Sequence, residues 1–168
     1  MTDPARPAVV LKDPVLFLAF GFGSGLAPRA PGTFGTLAAV PLLWLALLWL
    51  GPWTFIALTV AISALGIWLC GAASRKLGVH DHGGIVWDEF AGLFVTALPV
   101  VFGLTAALSL PMALLLAFAW FRLFDVWKPW PIRLLDARVH GGLGIMLDDL
   151  LAGVFAAAAL VASAALMA

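Results

Sequence analysis

The sequence predicts a polytopic helical membrane protein with about four to five membrane-embedded helices. Of its 168 residues, 64% are apolar and 11% are charged, whereas soluble domains are typically about 25% charged. The mean hydropathy is +1.10. Stretches close to the roughly 20 apolar residues of a bilayer-spanning helix recur along the chain. This composition excludes disordered, fibrous and disulfide-rich classes and argues against a soluble domain.

The apolar segments define the expected elements of a single domain covering residues 1–168. The short segment 15–22 cannot span a bilayer and predicts an interfacial helix. Five longer stretches follow at 33–50, 53–71, 90–102, 104–120 and 150–168. The third is short and contains Pro99, so we expect a tilted, half or re-entrant helix. Gly153, Ala157 and Ala164 in the fifth predict close helix packing, because small side chains let backbones approach.

The charged residues fall into three blocks, at 3–29, 75–89 and 122–149. The connections at 51–52 and 103 carry no charge. If the five stretches cross or re-enter in order, all the charges emerge on one face, and the positive-inside rule makes that face cytoplasmic. Nine basic and nine acidic residues cancel, so no net field attracts nucleic acid. No obligate protein partner is inferred.

The first polar block contains the glycine- and proline-rich string GFGSGLAPRAPGTFGT, residues 21–36. It fits neither a dinucleotide fingerprint, which needs a βαβ unit, nor a Walker loop, which needs a lysine after Gly32. A loop that leads into a helix remains. Thr33 and Thr36 are candidates to cap that helix. Two interpretations stay open: a plain turn with a cap, or an anion site at the helix start.

The second block places Asp88 and Glu89 at the mouth of the third stretch. Carboxylates at a helix start are favoured by the helix dipole, which is the purely structural interpretation. Acidic residues at a membrane boundary are nevertheless expensive unless partnered, which makes them candidates for function. The neighbouring His80-Asp81-His82 run is a weak zinc candidate, because a helix-spaced histidine pair and further cysteines are lacking.

The third block contains three charges spaced three apart, Arg122, Asp125 and Lys128. On a continuing helix they share a face, and Pro129 ends that helix. A salt bridge at the helix end is the simple explanation. Asp148 and Asp149 are expected to open the last span.

The three blocks together predict a metal-dependent site at one membrane face. Five carboxylates lie at the expected helix ends: Asp88, Glu89, Asp125, Asp148 and Asp149. Clustered oxygen ligands without thiolates suit a hard cation such as Mg²⁺. Arg122, Lys128 and the N–H groups of the glycine loop would neutralise phosphate oxygens. The chemistry alone therefore indicates a metal-dependent enzyme that acts on a phospholipid phosphate.

Four strings in this order, GFGSGLAPRAPGTFGT, HDHGGIVWDEFAG, FRLFDVWKPWPI and VHGGLGIMLDDLLAG, resemble the bacterial phosphatidylglycerophosphatase A family. The resemblance implies an all-α membrane enzyme that uses Mg²⁺ to convert phosphatidylglycerophosphate to phosphatidylglycerol and phosphate. It also implies the bacterial inner membrane as the location, with the catalytic loops (21–36, 75–90 and 121–149) facing the cytoplasm. The matching motif positions are Gly32, Thr33, Asp88, Glu89, Asp125, Lys128, Asp148 and Asp149.

These observations predict roles for individual residues. The expected metal ligands are Asp88, Glu89, Asp148 and Asp149. The expected phosphate-binding residues are Gly32, Thr33, Thr36, Arg122 and Lys128. The expected catalytic residues are Asp125, Lys128, His140 and Asp149. Water activated by the metal, by a carboxylate or by His140 would attack phosphorus in line, or Asp125 would form a phospho-aspartate.

Two other functions compete with this hypothesis. One is a phosphatase for another lipid phosphate, whose site would look alike. The other is a divalent-cation transporter, which needs acidic residues in the middle of the spans. The five apolar stretches contain no aspartate or glutamate, which argues against a transporter.

Overall fold

All regular elements are helical in the computed structural model, which describes residues 5–79 and 81–168. The α-helices are α1 Pro7–Val10, α2 Pro14–Ala19, α3 Pro31–Trp49, α4 Pro52–Leu77, α5 Trp87–Thr96, α6 Leu98–Val101, α7 Leu110–Trp127, α8 Ile132–Asp136 and α9 Gly141–Leu166. Within the described residues, α3, α4, α7 and α9 are long and apolar enough to cross a membrane. The expectation of a helical membrane protein is confirmed.

Proline and glycine mark the ends of the long helices. Pro31 and Pro52 each occupy the first position of a helix, where the missing N–H costs no hydrogen bond. Gly78 ends α4 in the left-handed conformation, and its N–H donates to the carbonyl oxygens of Ser74 and Arg75. The connections next to Pro31 and Gly78 carry charged residues, whereas the α3–α4 turn that Pro52 ends carries none.

The third apolar stretch forms a broken helix, α5 followed by α6, inside the bundle. Helices α3, α4, α7 and α9 all pack against α5, and the residues from Trp87 to Phe94 are buried. The segment ends near the turn between α3 and α4, where the Phe102 and Trp53 ring centroids are 6.4 Å apart. It therefore runs from the charged end of the bundle to the opposite end while covered by protein.

The short helix α2 lies beside the bundle, as expected for a segment that cannot span. Asp13 caps it by accepting hydrogen bonds from the N–H groups of Val15 and Leu16. Leu16 and Phe20 are buried in an apolar cluster with residues of α4, α5 and α9. Asp13 also pairs with Lys76 near the end of α4, which ties the N-terminal segment to the charged end.

Helix α9 begins at Gly141, well before the expected start at residue 150, so that boundary is wrong. Gly142, in the first turn, packs directly against the backbone of α4. A Cβ atom on Gly142 would lie 1.9 Å from the carbonyl oxygen of Ile67. This close approach offsets the low helix propensity of glycine. As a result, Asp148 and Asp149 lie about two turns inside α9 rather than at its mouth.

Candidate active site

Three buried carboxylates form the centre of the candidate site. Asp88 and Glu89 lie in the first turn of α5, and Asp149 lies in α9. One oxygen from each falls within 4.8 Å of the others. Three buried oxygens, Asp88 Oδ1, Glu89 Oε2 and Asp149 Oδ2, have no hydrogen-bond partner. Unpartnered buried carboxylate oxygens are costly, and this cluster has the ligand atoms that could hold a metal ion.

A close approach of two helix backbones brings these acids together. Helices α5 and α9 both lead away from the charged end. A Cβ atom on Gly153 would lie 2.5 Å from the carbonyl oxygen of Gly92. Thr96 strengthens the contact, since its hydroxyl lies 3.4 Å from the Gly153 carbonyl oxygen. One turn nearer the charged end, Glu89 and Asp149 face each other, so the packing predicted for Gly153 is confirmed and positions the acids.

Arg122 brings α7 into the site. Its Nη1 atom lies 2.5 Å from Asp125 Oδ2 and 3.7 Å from Glu89 Oε1, so the predicted shared face is confirmed for Arg122 and Asp125. Asp125 also lies close enough to interact with Asp149. The Arg122 Nε atom is buried and has no hydrogen-bond partner, so one guanidinium donor is unsatisfied.

The glycine-rich loop reaches the same place through the first turn of α3. A Cβ atom on Gly32 would lie 2.3 Å from Glu89 Oε1 and 3.2 Å from Arg122 Nη1. Only a residue without a side chain fits there. The Thr36 hydroxyl donates to the Gly32 carbonyl oxygen at 2.9 Å, and Arg122 Nη1 donates to the Thr36 hydroxyl oxygen at 3.4 Å. Helix α3 thus presents its N-terminus to the acidic cluster.

Neither threonine caps α3, so the capping prediction is wrong. The N-cap is Ala30 in the left-handed conformation, with no side-chain hydrogen bond to the helix. The following Pro31 explains the difference, because a residue before proline avoids the right-handed helical region. The helix therefore begins before Thr33 and places Thr36 one turn inside it.

Lys128 faces a partner different from the one that its spacing predicts. Helix α7 ends at Trp127, and Lys128 takes a left-handed conformation with φ 45°. It therefore leaves the face that Arg122 and Asp125 share. Its Nζ atom lies 2.5 Å from Asp148 Oδ2 and 3.2 Å from Asp136 Oδ1. Burial disfavours the ammonium ion, but the hydrogen bonds to these two carboxylates outweigh burial and raise the pKa of Lys128.

The assembled arrangement combines buried acids with two cationic side chains and a helix N-terminus. Residues 17–164 of the chain match the sequence model of a family described as Phosphatidylglycerophosphatase A. The chain belongs to the phosphatidylglycerophosphatase A family. It is therefore an enzyme of the phosphatase class, a phosphoric monoester hydrolase.

Individual relatives agree with the family match. The chain is 46% identical over 158 residues to Phosphatidylglycerophosphatase A of Escherichia coli strain K12, an alignment covering 92% of this chain and 86% of the relative. It is 46% identical over 149 residues to the protein of the same name from Haemophilus influenzae, covering 88% and 87%. A Putative phosphatidylinositol-3-phosphatase of Bacteroides thetaiotaomicron is 38% identical over 153 residues, covering 84% and 87%. No solved structure matches.

Two residues predicted for this phosphatidylglycerophosphatase A family member lie at the edge of the site. His140 is exposed at the N-cap of α9, about 12 Å along the helix axis from Asp148 at 1.5 Å per residue. Its Nδ1 atom lies 3.1 Å from the Arg138 carbonyl oxygen. Thr33 is half-buried in the first turn of α3. The catalytic role of His140 and the phosphate-binding role of Thr33 stay predictions.

Asp136 is a site neighbour that the sequence pattern does not reveal. It ends the short helix α8 and contacts Lys128. Seven residues separate the two, and they include a turn before α8, so no continuous helical spacing signals the contact. Pro129 and Pro131 indicate a turn after Lys128, but they do not indicate the direction in which the chain continues.

The structure removes one argument against a cation transporter. That argument was that the apolar stretches contain no acidic residue, but Asp148 and Asp149 lie inside α9, one of the helices able to cross a membrane. Membership of the phosphatidylglycerophosphatase A family now supports an enzyme instead.

Proposed function

We propose that this protein hydrolyses phosphatidylglycerophosphate to phosphatidylglycerol and phosphate, with Mg²⁺ bound by its buried carboxylates. The observation that carries the proposal is the cluster of Asp88, Glu89 and Asp149, with Arg122 beside it. The names of two relatives that are 46% identical support the same substrate.

The donor set fits a hard divalent cation. Mg²⁺ prefers oxygen ligands, and each of these three carboxylates keeps one buried oxygen without a protein partner. Asp148 is a fourth candidate ligand: its Oδ2 atom is held by Lys128, whereas its Oδ1 atom is buried and unpartnered. When bound, Mg²⁺ supplies Lewis-acid polarisation of the phosphate and lowers the pKa of an attacking water.

The cationic side chains would neutralise the phosphate. Arg122 in α7 and Lys128 just after its end flank the acids, and each retains N–H donors beyond those used by carboxylates. The first turn of α3 adds backbone N–H groups and the positive end of a helix dipole at Gly32. We assign Asp125 to positioning Arg122, since its Oδ2 atom holds the guanidinium. Attack by water is then favoured over a phospho-aspartate at Asp125.

The depth of the site suits a lipid phosphate. From Leu166 back to Asp148, α9 rises about 27 Å, close to the roughly 30 Å of a bilayer hydrocarbon core. The most exposed tryptophans lie at the two ends of the bundle: Trp49, Trp53, Trp127 and Trp130. Tryptophans concentrate at membrane interfaces. We infer a bacterial inner-membrane location, with the site at the cytoplasmic boundary.

A second substrate deserves testing because one relative carries a different name. The protein from Bacteroides thetaiotaomicron is named Putative phosphatidylinositol-3-phosphatase. Both lipids present a phosphate monoester at the interface, so the same acids and cations suit either one. The headgroup contacts that separate them would come from the loops around the site.

The decisive experiment measures phosphate release by the purified protein in detergent. Phosphatidylglycerophosphate and phosphatidylinositol 3-phosphate are compared, each with Mg²⁺ and with excess chelator. We expect faster release from the first lipid, loss of release in chelator, and a loss of at least about a hundredfold in an Asp149→Asn variant. Full activity in chelator would contradict the Mg²⁺ assignment, and preference for the second lipid would contradict the substrate.

A further inference from the structure

An apolar groove runs down the outside of the bundle between α3 and α7. It has a volume of about 360 Å³. Its walls include Leu37, Val40 and Trp44 on α3 and Leu114, Leu115 and Phe118 on α7. Leu37, Trp44 and Leu115 are exposed, so the groove opens sideways, towards the hydrocarbon that surrounds two candidate membrane-spanning helices.

One end of this groove lies next to residues of the candidate site along both helices. Val40, in the α3 wall, lies one helical turn after Thr36, and Phe118, in the α7 wall, lies one helical turn before Arg122. The hydrogen bond from Arg122 Nη1 to the Thr36 hydroxyl joins the two groove walls at this end. A lipid whose phosphate lies beside Arg122 would therefore have polar groups around its head and the apolar groove beside its hydrocarbon tail.

We propose that the groove between α3 and α7 binds one acyl chain of the lipid substrate while its phosphate occupies the acidic site. This inference rests on the proposed lipid phosphatase function. The site anchors the charged head, and the groove aligns the tail along the bundle. Substrate enters sideways from the bilayer, since the groove is open along its length.

A second groove on the other side of the bundle provides a matched control. It also has a volume of about 360 Å³ and lies between α4 and the α5–α6 segment. Val60 on α4 and Val95 on α5 are among its lining residues. None of its lining residues adjoins Thr36 or Arg122 along the chain. A lipid chain seated there would not lead to the phosphate site.

The test fills each groove with the same substitution and varies the tail of the substrate. Val40→Phe fills the groove beside the site, and Val60→Phe fills the control groove. Leu115→Trp fills the first groove from α7, in case Val40→Phe folds poorly. KM and kcat are measured in detergent for phosphatidylglycerophosphate with two 18-carbon chains and for its six-carbon analogue, which is too short to reach down the groove.

We expect Val40→Phe and Leu115→Trp to raise KM for the long-chain substrate about tenfold, with the six-carbon analogue and kcat little changed. Val60→Phe should match wild type on both substrates. The acyl groove is overturned if either variant of the α3–α7 groove folds and treats both chain lengths as wild type does, or loses both equally. Wild type that hydrolyses neither lipid would instead overturn the proposed function.

Discussion

At the scale of single residues, Lys128 shows how local strain serves the site. A non-glycine residue in the left-handed region costs about 1–3 kcal/mol, and Lys128 adopts it with φ 45°. Pro129 removes the right-handed alternative. The strained turn carries the ammonium group away from Asp125 and onto Asp148, where it neutralises part of the acidic cluster.

Replacing Lys128 and Asp125 separately tests whether each residue is catalytic or structural. Each residue belongs to a partly buried ion pair, Lys128 with Asp148 and Asp125 with Arg122, so its replacement lowers stability whatever its role. A charge donor for the transition state also contributes about a hundredfold or more to turnover. We expect the Lys128→Met and Asp125→Asn proteins to have a lower Tm and, where folded, to lose at least about a hundredfold in kcat, measured as phosphate release.

Two neighbours serve as controls for that experiment. Asp136→Asn removes the more exposed partner of Lys128, and Arg133→Gln removes an exposed charge of the same segment. Both variants should stay within a few-fold of wild type. If Lys128→Met and Asp125→Asn are equally mild, both residues are structural, and the site rests on the buried carboxylates alone.

At the scale of elements, the contact between α5 and α9 decides whether the site exists. Gly92 and Gly153 bring the two backbones together, and Glu89 and Asp149 lie one turn away from that contact. The two backbones are in direct contact at Gly92 and Gly153, so one added methyl group must move a helix. A movement of α9 carries Asp149 with it.

A Gly153→Ala variant tests this coupling of packing and catalysis. Its Cβ atom would lie 2.5 Å from the Gly92 carbonyl oxygen, and overpacking of this kind costs about 1–3 kcal/mol. A shift of about 1 Å at a catalytic group lowers turnover by as much as a hundredfold. We expect a lower Tm and a lower kcat together. Gly51→Ala, where the added Cβ meets nothing within 4 Å, should change neither.

The N-terminal segment is held to α4 by a separate, pH-dependent contact. The hydrogen bond from Lys76 lowers the pKa of Asp13. A carboxyl group with a depressed native pKa stabilises the fold above its unfolded pKa of about 3.9, and this stabilisation is lost as pH falls through the native value.

An Asp13→Asn variant isolates that contribution, because asparagine keeps the helix cap and loses the charge. We expect wild type to have the higher Tm at pH 7 and the difference to shrink below about pH 4. A Tm difference that stays constant down to pH 3 would show that the ion pair does not stabilise the fold.

At the scale of the whole molecule, the alternating direction of the helices gathers the charged segments at one end. The described charged residues lie in or beside the connections at that end, and the α3–α4 turn at the other end carries none. Asp3 and His80 fall outside the described residues. A single charged face matches an enzyme that works at one surface of a bilayer.

Cysteine labelling in intact cells tests this topology. Cys70 is the only cysteine of the chain and is buried, so Cys70→Ala provides a background that we expect to remain active. On this background, Val79→Cys and Arg138→Cys should resist an impermeant thiol reagent, and Gly51→Cys at the opposite turn should react. Labelling of Arg138→Cys with protection of Val79→Cys would contradict a shared face.

The sequence by itself determined the class, the number of long helices and the shared face of the charges. Hydropathy and charge are properties of the sequence itself and need no knowledge of tertiary contacts. The turn at Gly51-Pro52 and the three charged blocks could therefore be identified directly. Candidate site residues could also be named from the sequence, because oxygen ligands and cations are identified by their chemistry, and their roles stay predictions.

Only the tertiary structure decided how those residues meet. The early start of α9 is accompanied by the contact of Gly142 with α4, and the pairing of Lys128 with Asp148 joins the end of α7 to α9. The meeting of Glu89 with Asp149 depends on the approach of Gly92 to Gly153. Each is a contact between residues distant in sequence, where packing overrides local propensity, and no periodicity along the chain records it.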